Sequence, residues 1–197
     1  AVSVLGFGVF TANMTGNVIF LGFAAAGARG FSIARSLTSL VAFLAGAVIG
    51  GGISVAIDAN RRRWLLAVAV CEATLLVVAA LASIGLEIGP AMPPIRLYSV
   101  IVLMAIAMGL RNATVRRLAV PDLTTTVLTL TLTGLSADSS LAGGKNPRFG
   151  RRFGSVVAMF GGAVIGALLL KYGLAPALLF SGVCVMAVAL IIIGLRH

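Results

Sequence analysis

Acidic charge is nearly missing from this chain: five Asp and Glu stand against fifteen Lys and Arg in 197 residues. Charge of either sign is scarce, at 10% of residues, where a soluble domain carries about 25%. So few charges cannot wet a folded surface, so the outward face must meet something apolar, and lipid is the candidate. Histidine is reduced to the terminal His197, which weighs against haem ligation and His-based catalysis. The two cysteines, Cys71 and Cys184, lie inside apolar runs. They suggest neither a zinc site nor a disulfide framework and read as small buried hydrophobes. No HExxH, Walker A or GxSxG pattern occurs, and Gly143-Gly144-Lys145 lacks P-loop spacing. No enzyme, cofactor or metal is expected.

What is present is hydrophobic: 60% of residues, with a mean hydropathy of +1.13. The net charge of +10 comes from basic clusters at the ends of apolar runs, such as Arg61-Arg62-Arg63 and Arg151-Arg152. That placement fits loops held against anionic lipid head groups. No basic face with interleaved aromatics accompanies it, so nucleic acid is not an expected partner. Ala1 opens a Gly-rich apolar stretch unlike a signal peptide, and the reading expects a first helix cut short there.

A span needs roughly 20 apolar residues. Candidates are Thr11 to Ala28, Ile33 to Ile57, Trp64 to Leu86, Ile95 to Val115, Phe153 to Leu170 and Leu174 to Leu195. Leu123 to Leu135 is shorter and rich in Thr. The fold expected is an all-α polytopic helix bundle of about seven spans, or eight with a truncated first helix. A Pro- and Gly-rich linker, Glu87 to Pro94, divides it.

An internal repeat organises these spans. Ser39–Gly50 matches Ser155–Gly166 at eight of twelve positions, 116 residues apart. Thr11 and Thr15 correspond to Thr125 and Thr129, and Val70-Cys71 to Val183-Cys184. Two sequence-related transmembrane repeats are expected, 1–88 and 95–197, the first short of its opening helix. Such a duplication places a site between the halves. A four-and-four count makes the halves parallel, and a half-helix in either Thr-rich segment changes that parity. The basic clusters then fall on loops of both sides, which leaves orientation open.

The chemistry-bearing residues are polar side chains in apolar helices. Thr11 and Thr15 share one helical face, and Asn13 and Asn17 another. Amides in hydrocarbon are costly unless bonded. They either stitch helices, at about 0.6 kcal/mol each, or line a polar path, and Gly16 permits a break that exposes backbone. Thr125, Thr129 and Thr133 line a face of the Thr124–Thr133 segment, where hydroxyls can also bond their own turn. Arg111 either snorkels, holds a negative group or pairs with an acid. Asn112 is too short to snorkel. Glu72 lies mid-span, where a carboxylate is expensive and a functional candidate, here for proton coupling. It has no acidic counterpart in the other repeat, where Val185 stands. Gly46, Gly50, Gly162 and Gly166 form faces for close helix packing.

With these motifs in view, the sequence resembles the YoaK family (DUF1275/UPF0700) of bacterial multi-pass membrane proteins. Phe10–Asn17, Gly109–Ala113, Thr124–Thr133 and the Ala45–Gly50 and Gly161–Gly166 copies carry the resemblance, which covers essentially the whole chain. The family usually has Gln where this chain has Arg111 and Gly where it has Leu130, so a site built there differs here. The resemblance implies a bacterial inner-membrane location and a helix before Ala1, with no substrate or mechanism attached.

The reading that follows is a small-solute transporter or permease. Thr11, Asn13, Thr15, Asn17, Arg111, Asn112, Thr125 and Thr129 line its site, and Glu72 couples protons. The partners are the lipid bilayer and a small-molecule solute, with room for a homo-oligomer. The alternative is a non-transporting scaffold or a subunit that docks a partner through its Gly faces.

Overall fold

The computed structural model describes residues 1–57, 60–86, 94–119 and 128–194. Among them every regular element is helical, as the polytopic bundle requires. The α-helices in chain order are α1 Met14–Ala25, α2 Ile33–Ala56, α3 Arg61–Ala82, α4 Pro94–Leu118, α5 Leu128–Ala137, α6 Phe149–Leu170 and α7 Leu174–Gly194. A π-turn at Val2–Gly6 precedes them, and a 3₁₀ turn at Ser140–Ala142 lies between α5 and α6.

Five of these helices, α2, α3, α4, α6 and α7, are long and apolar enough to cross a membrane. The shorter α1, with 12 residues, reaches only about 18 Å, roughly half a bilayer, and the described part of α5, Leu128–Ala137, about 15 Å. Among the described residues, five of the seven expected apolar segments are long enough to span, α1 is short, and α5 is described only from Leu128. The starts are set by capping. Asn60 accepts from Arg63 N at 3.0 Å and Ser32 from Arg35 N at 3.3 Å, so α3 begins at Arg61, three residues before the apolar run. Asn13 caps α1 by accepting from Gly16 N, so the helix starts at Met14 and not at Thr11. Such side-chain acceptors satisfy the orphan donors of a first turn.

Three stacked core clusters fix the helix directions. One joins Ala79 and Ala80 of α3 to Val100 and Ile101 of α4 and Ala177 and Leu178 of α7. The next joins Ala69 and Ala73, Ala107, and Val185 and Ala189. The last joins Trp64 and Val68 to Leu110. Along this stack α3 numbers fall while α4 and α7 numbers rise, so α3 is antiparallel to both. The α2–α4 contact steps from Ile106 over Gly46 to Leu110 over Gly50, so α2 and α4 are parallel. A short turn through Gly173, at φ +114°, where only glycine sits without strain, joins α6 to α7, and two consecutive long spans so joined run in opposite directions. Hence α2, α4 and α7 run one way and α3 and α6 the other. The repeated stretch therefore occurs in opposite directions in α2 and α6. Among the described residues α1 is too short to cross, and α5 is described only over Leu128–Ala137.

The two copies also differ in company. A Cβ on Gly46 would strike the Ile106 carbonyl, and one on Gly109 the Phe43 carbonyl. Backbone thus meets backbone across α2 and α4, the contact that small residues permit in lipid. In α6 no residue is buried, and Gly162 faces open space.

Candidate functional site

The site is assembled by the break before α1. Residues 8–13 run along α2 without helix. Arg35 Nη1 donates to Phe7 O at 3.2 Å, and Ser39 Oγ to Phe10 O at 2.6 Å. Asn17 closes the loop from the other side. Its Oδ1 accepts from Phe10 N at 2.9 Å, and its Nδ2 donates to Phe10 O at 2.5 Å. Gly16 lies under the Phe10 ring, where a Cβ would collide. The Asn-Met-Thr-Gly-Asn motif thus builds a sharp entry. The chain advances along α2 and then returns as α1, so that Phe20 and Phe23 meet Phe31 just before α2 begins. The N-terminus of α1 is left beside the middle of α2, at membrane depth.

That N-terminus opens into a cavity of about 890 Å³ between α1, α2 and α4. Asn13 and Thr15 line it from α1, Phe43, Ala47, Gly51 and Ser54 from α2, and Asn112, Arg116 and Arg117 from α4. Asn112 Nδ2 donates to Met108 O at 2.8 Å, a bond within its own helix. Arg117 donates to Ser54 Oγ at 2.6 Å and stacks over Trp64, 5.7 Å from the ring centroid. Among the described lining residues none is acidic. Two arginines and the positive end of α1 therefore set the local field.

Of the residues picked from sequence, Asn13, Thr15 and Asn112 come together here. Thr11 and Asn17 are buried beneath the cavity wall, with the Asn17 amide spent on Phe10. Arg111 and Glu72 meet on another face of α4, where they form an ion pair. That pair lines a separate hollow of about 370 Å³ with Val68, Cys184 and Val188. Thr129 is exposed on α5, whose extensive contacts are with α6 and the 3₁₀ turn; Arg152 of α6 ties it down by bonding Gly134 O and Asp138. Thr125 lies outside the described residues. The cavity therefore takes polar lining from both expected repeats, Asn13 and Thr15 from the first and Asn112, Arg116 and Arg117 from the second. Arg116, Arg117 and Ser54 were not picked from sequence. Their signal was there: Asn112 and Arg116 are four apart, on one face of α4.

Both glutamate and arginine of the second hollow are deep in apolar helices. Their pairing answers the cost of charge in lipid. Trp64, at the start of α3, is buried against Leu110 and Val68. It gives Arg117 a ring face to cover as α4 leaves the bundle.

A family model described as "Protein of unknown function (DUF1275)" matches residues 1–191. Among curated proteins, the chain is 34% identical over 135 residues to the UPF0700 transmembrane protein YoaK of Bacillus subtilis (strain 168). The match takes in 67% of this chain and spans 56% of the length of that relative. No solved structure matches the chain significantly.

Proposed function

On the premise that the chain belongs to the DUF1275 family of membrane proteins, we propose that it is a small-solute transporter of the bacterial inner membrane. Its solute carries a negative group and sits in the cavity of Asn13, Thr15 and Asn112. One observation carries the reading: a short helix begins at membrane depth and points its N-terminus into a largely apolar cavity whose few polar groups include Asn112 and Arg116. Broken helices of this kind hold anionic groups in transporters with inverted repeats, and the repeated stretch here runs in opposite directions in α2 and α6. The positive end of the α1 dipole and the Arg116 guanidinium favour an anion. Asn112 and Thr15 supply directional hydrogen bonds for its uncharged part. The Glu72–Arg111 pair, across α4, is the proton-coupling element of this scheme: protonating Glu72 removes the charge that holds Arg111.

The test is flux in reconstituted vesicles, with inorganic phosphate and a panel of small carboxylates as probes. The protein is expected to move at least one of these anions. Thr15→Val combined with Asn112→Leu should lower that flux on the order of tenfold. Unchanged flux in the double variant would place the path elsewhere. The second reading, a docking subunit, is favoured by one feature, the bare glycine face of α6. It predicts no flux for any probe.

A further inference from the structure

The helix directions redistribute the basic residues. The C-terminal ends of α2 and α4 and the N-terminal ends of α3 and α6 lie at one end of the bundle. That end carries Arg61–Arg63, Arg116, Arg117 and Lys145, together with Arg148, Arg151 and Arg152. The opposite end carries Arg29, Arg35, Arg96 and Lys171. Among the described residues outside mid-span the ratio is nine to four. At the sparse end Arg35 bonds Phe7 O, and Arg96 bonds Ala82 O and Ile84 O at 3.0 and 2.7 Å. Both are thus engaged in closing loops and helix ends. At the rich end Arg61, Arg62, Arg63, Arg116 and Arg151 are all exposed. In linear order the clusters alternate between loops, and a count of seven full spans would set them on opposite sides. Because α7 runs parallel to α4 and α6 runs against both, α4 ends and α6 begins at the same end, and the clusters join.

Short loops rich in Lys and Arg stay on the cytoplasmic side of a bacterial inner membrane, and anionic lipid head groups attract them there. We propose that the end carrying Arg61–Arg63, Arg116–Arg117 and Arg148–Arg152 is the cytoplasmic face. It lies among the anionic head groups of the inner leaflet, and the Asn13–Asn112 cavity opens toward the cytoplasm. The cavity reaches that end through the exposed Arg116 and Arg117 in the last turn of α4. This rests on the inner-membrane location proposed above and not on transport: a docking subunit would be oriented in the same way.

The experiment uses single cysteines in the full chain with Cys71 and Cys184 replaced by Ala. Leu141→Cys reports the basic end, where Leu141 is 99% exposed. Tyr172→Cys, where Tyr172 is 81% exposed, and Ala28→Cys report the other. An impermeant maleimide is added to cells whose outer membrane has been permeabilised, and again after the cells are broken. Tyr172→Cys and Ala28→Cys should label in whole cells, and Leu141→Cys only after breakage. The reverse pattern, or equal labelling at both ends, overturns the proposal. Fractionation separates the two premises: chain sedimenting with another membrane defeats the inner-membrane location, whereas a wrong pattern in inner-membrane chain defeats the orientation alone.

Discussion

Asn17 looks from sequence like a lining residue and proves to be a brace. Its amide satisfies both backbone groups of Phe10, which the break before α1 would otherwise leave unbonded in an apolar setting. Asn17→Leu should therefore cost about 1–3 kcal/mol, the penalty for stranding buried polar groups, seen as a lower unfolding temperature in detergent. The same change at exposed Asn13 loses only a cap, about 1 kcal/mol. Glu72 and Arg111 invite a double-mutant cycle. Arg111→Leu leaves a buried carboxylate alone and should cost about 3 kcal/mol or more, and Glu72→Leu added to it should recover most of that loss. Equal losses in the single and the double variant would mean that the pair contributes nothing. The sequence marked Asn13, Asn17, Glu72 and Arg111 as residues that had to find partners. It carried no sign of which would turn inward to backbone and which toward a cavity, because that depends on where the chain breaks.

At the scale of elements, the glycine faces separate two copies of one sequence. In α2 the face is filled by α4, with backbone at Gly46 and Gly50; in α6 Gly162 is open. Gly46→Val should push the helices apart, at a cost of about 1–3 kcal/mol or more. Gly162→Val should be close to neutral, and thermal unfolding of the two proteins side by side checks the difference. The five long spans were legible as apolar runs bounded by basic clusters, and the repeat was legible as eight matched positions. The Thr-rich segment of α5 also read as short, but the shortness of α1 was not legible. What sets the start of α1 is a side-chain cap at Asn13 formed only once the chain has folded back along α2. From that misread length followed the parity of the repeats.

At the scale of the molecule, the parts form a polarised bundle. One end holds most of the basic residues and the mouth of the cavity. A half-length helix points its positive end into that cavity, and the apolar flanks of α6 and α7 are left to lipid. The first repeat contributes α1 and α2 to the site, and the second contributes α4. The account stands on that cavity being wet. The direct test is reaction with a water-soluble maleimide of Thr15→Cys and Asn112→Cys, each in protein lacking Cys71 and Cys184, in permeabilised lipid vesicles. Both should react at rates near that of a cysteine at exposed position 141, while a cysteine in place of buried Thr11 stays unlabelled. Silence at both 15 and 112, with position 141 reacting normally, would contradict it.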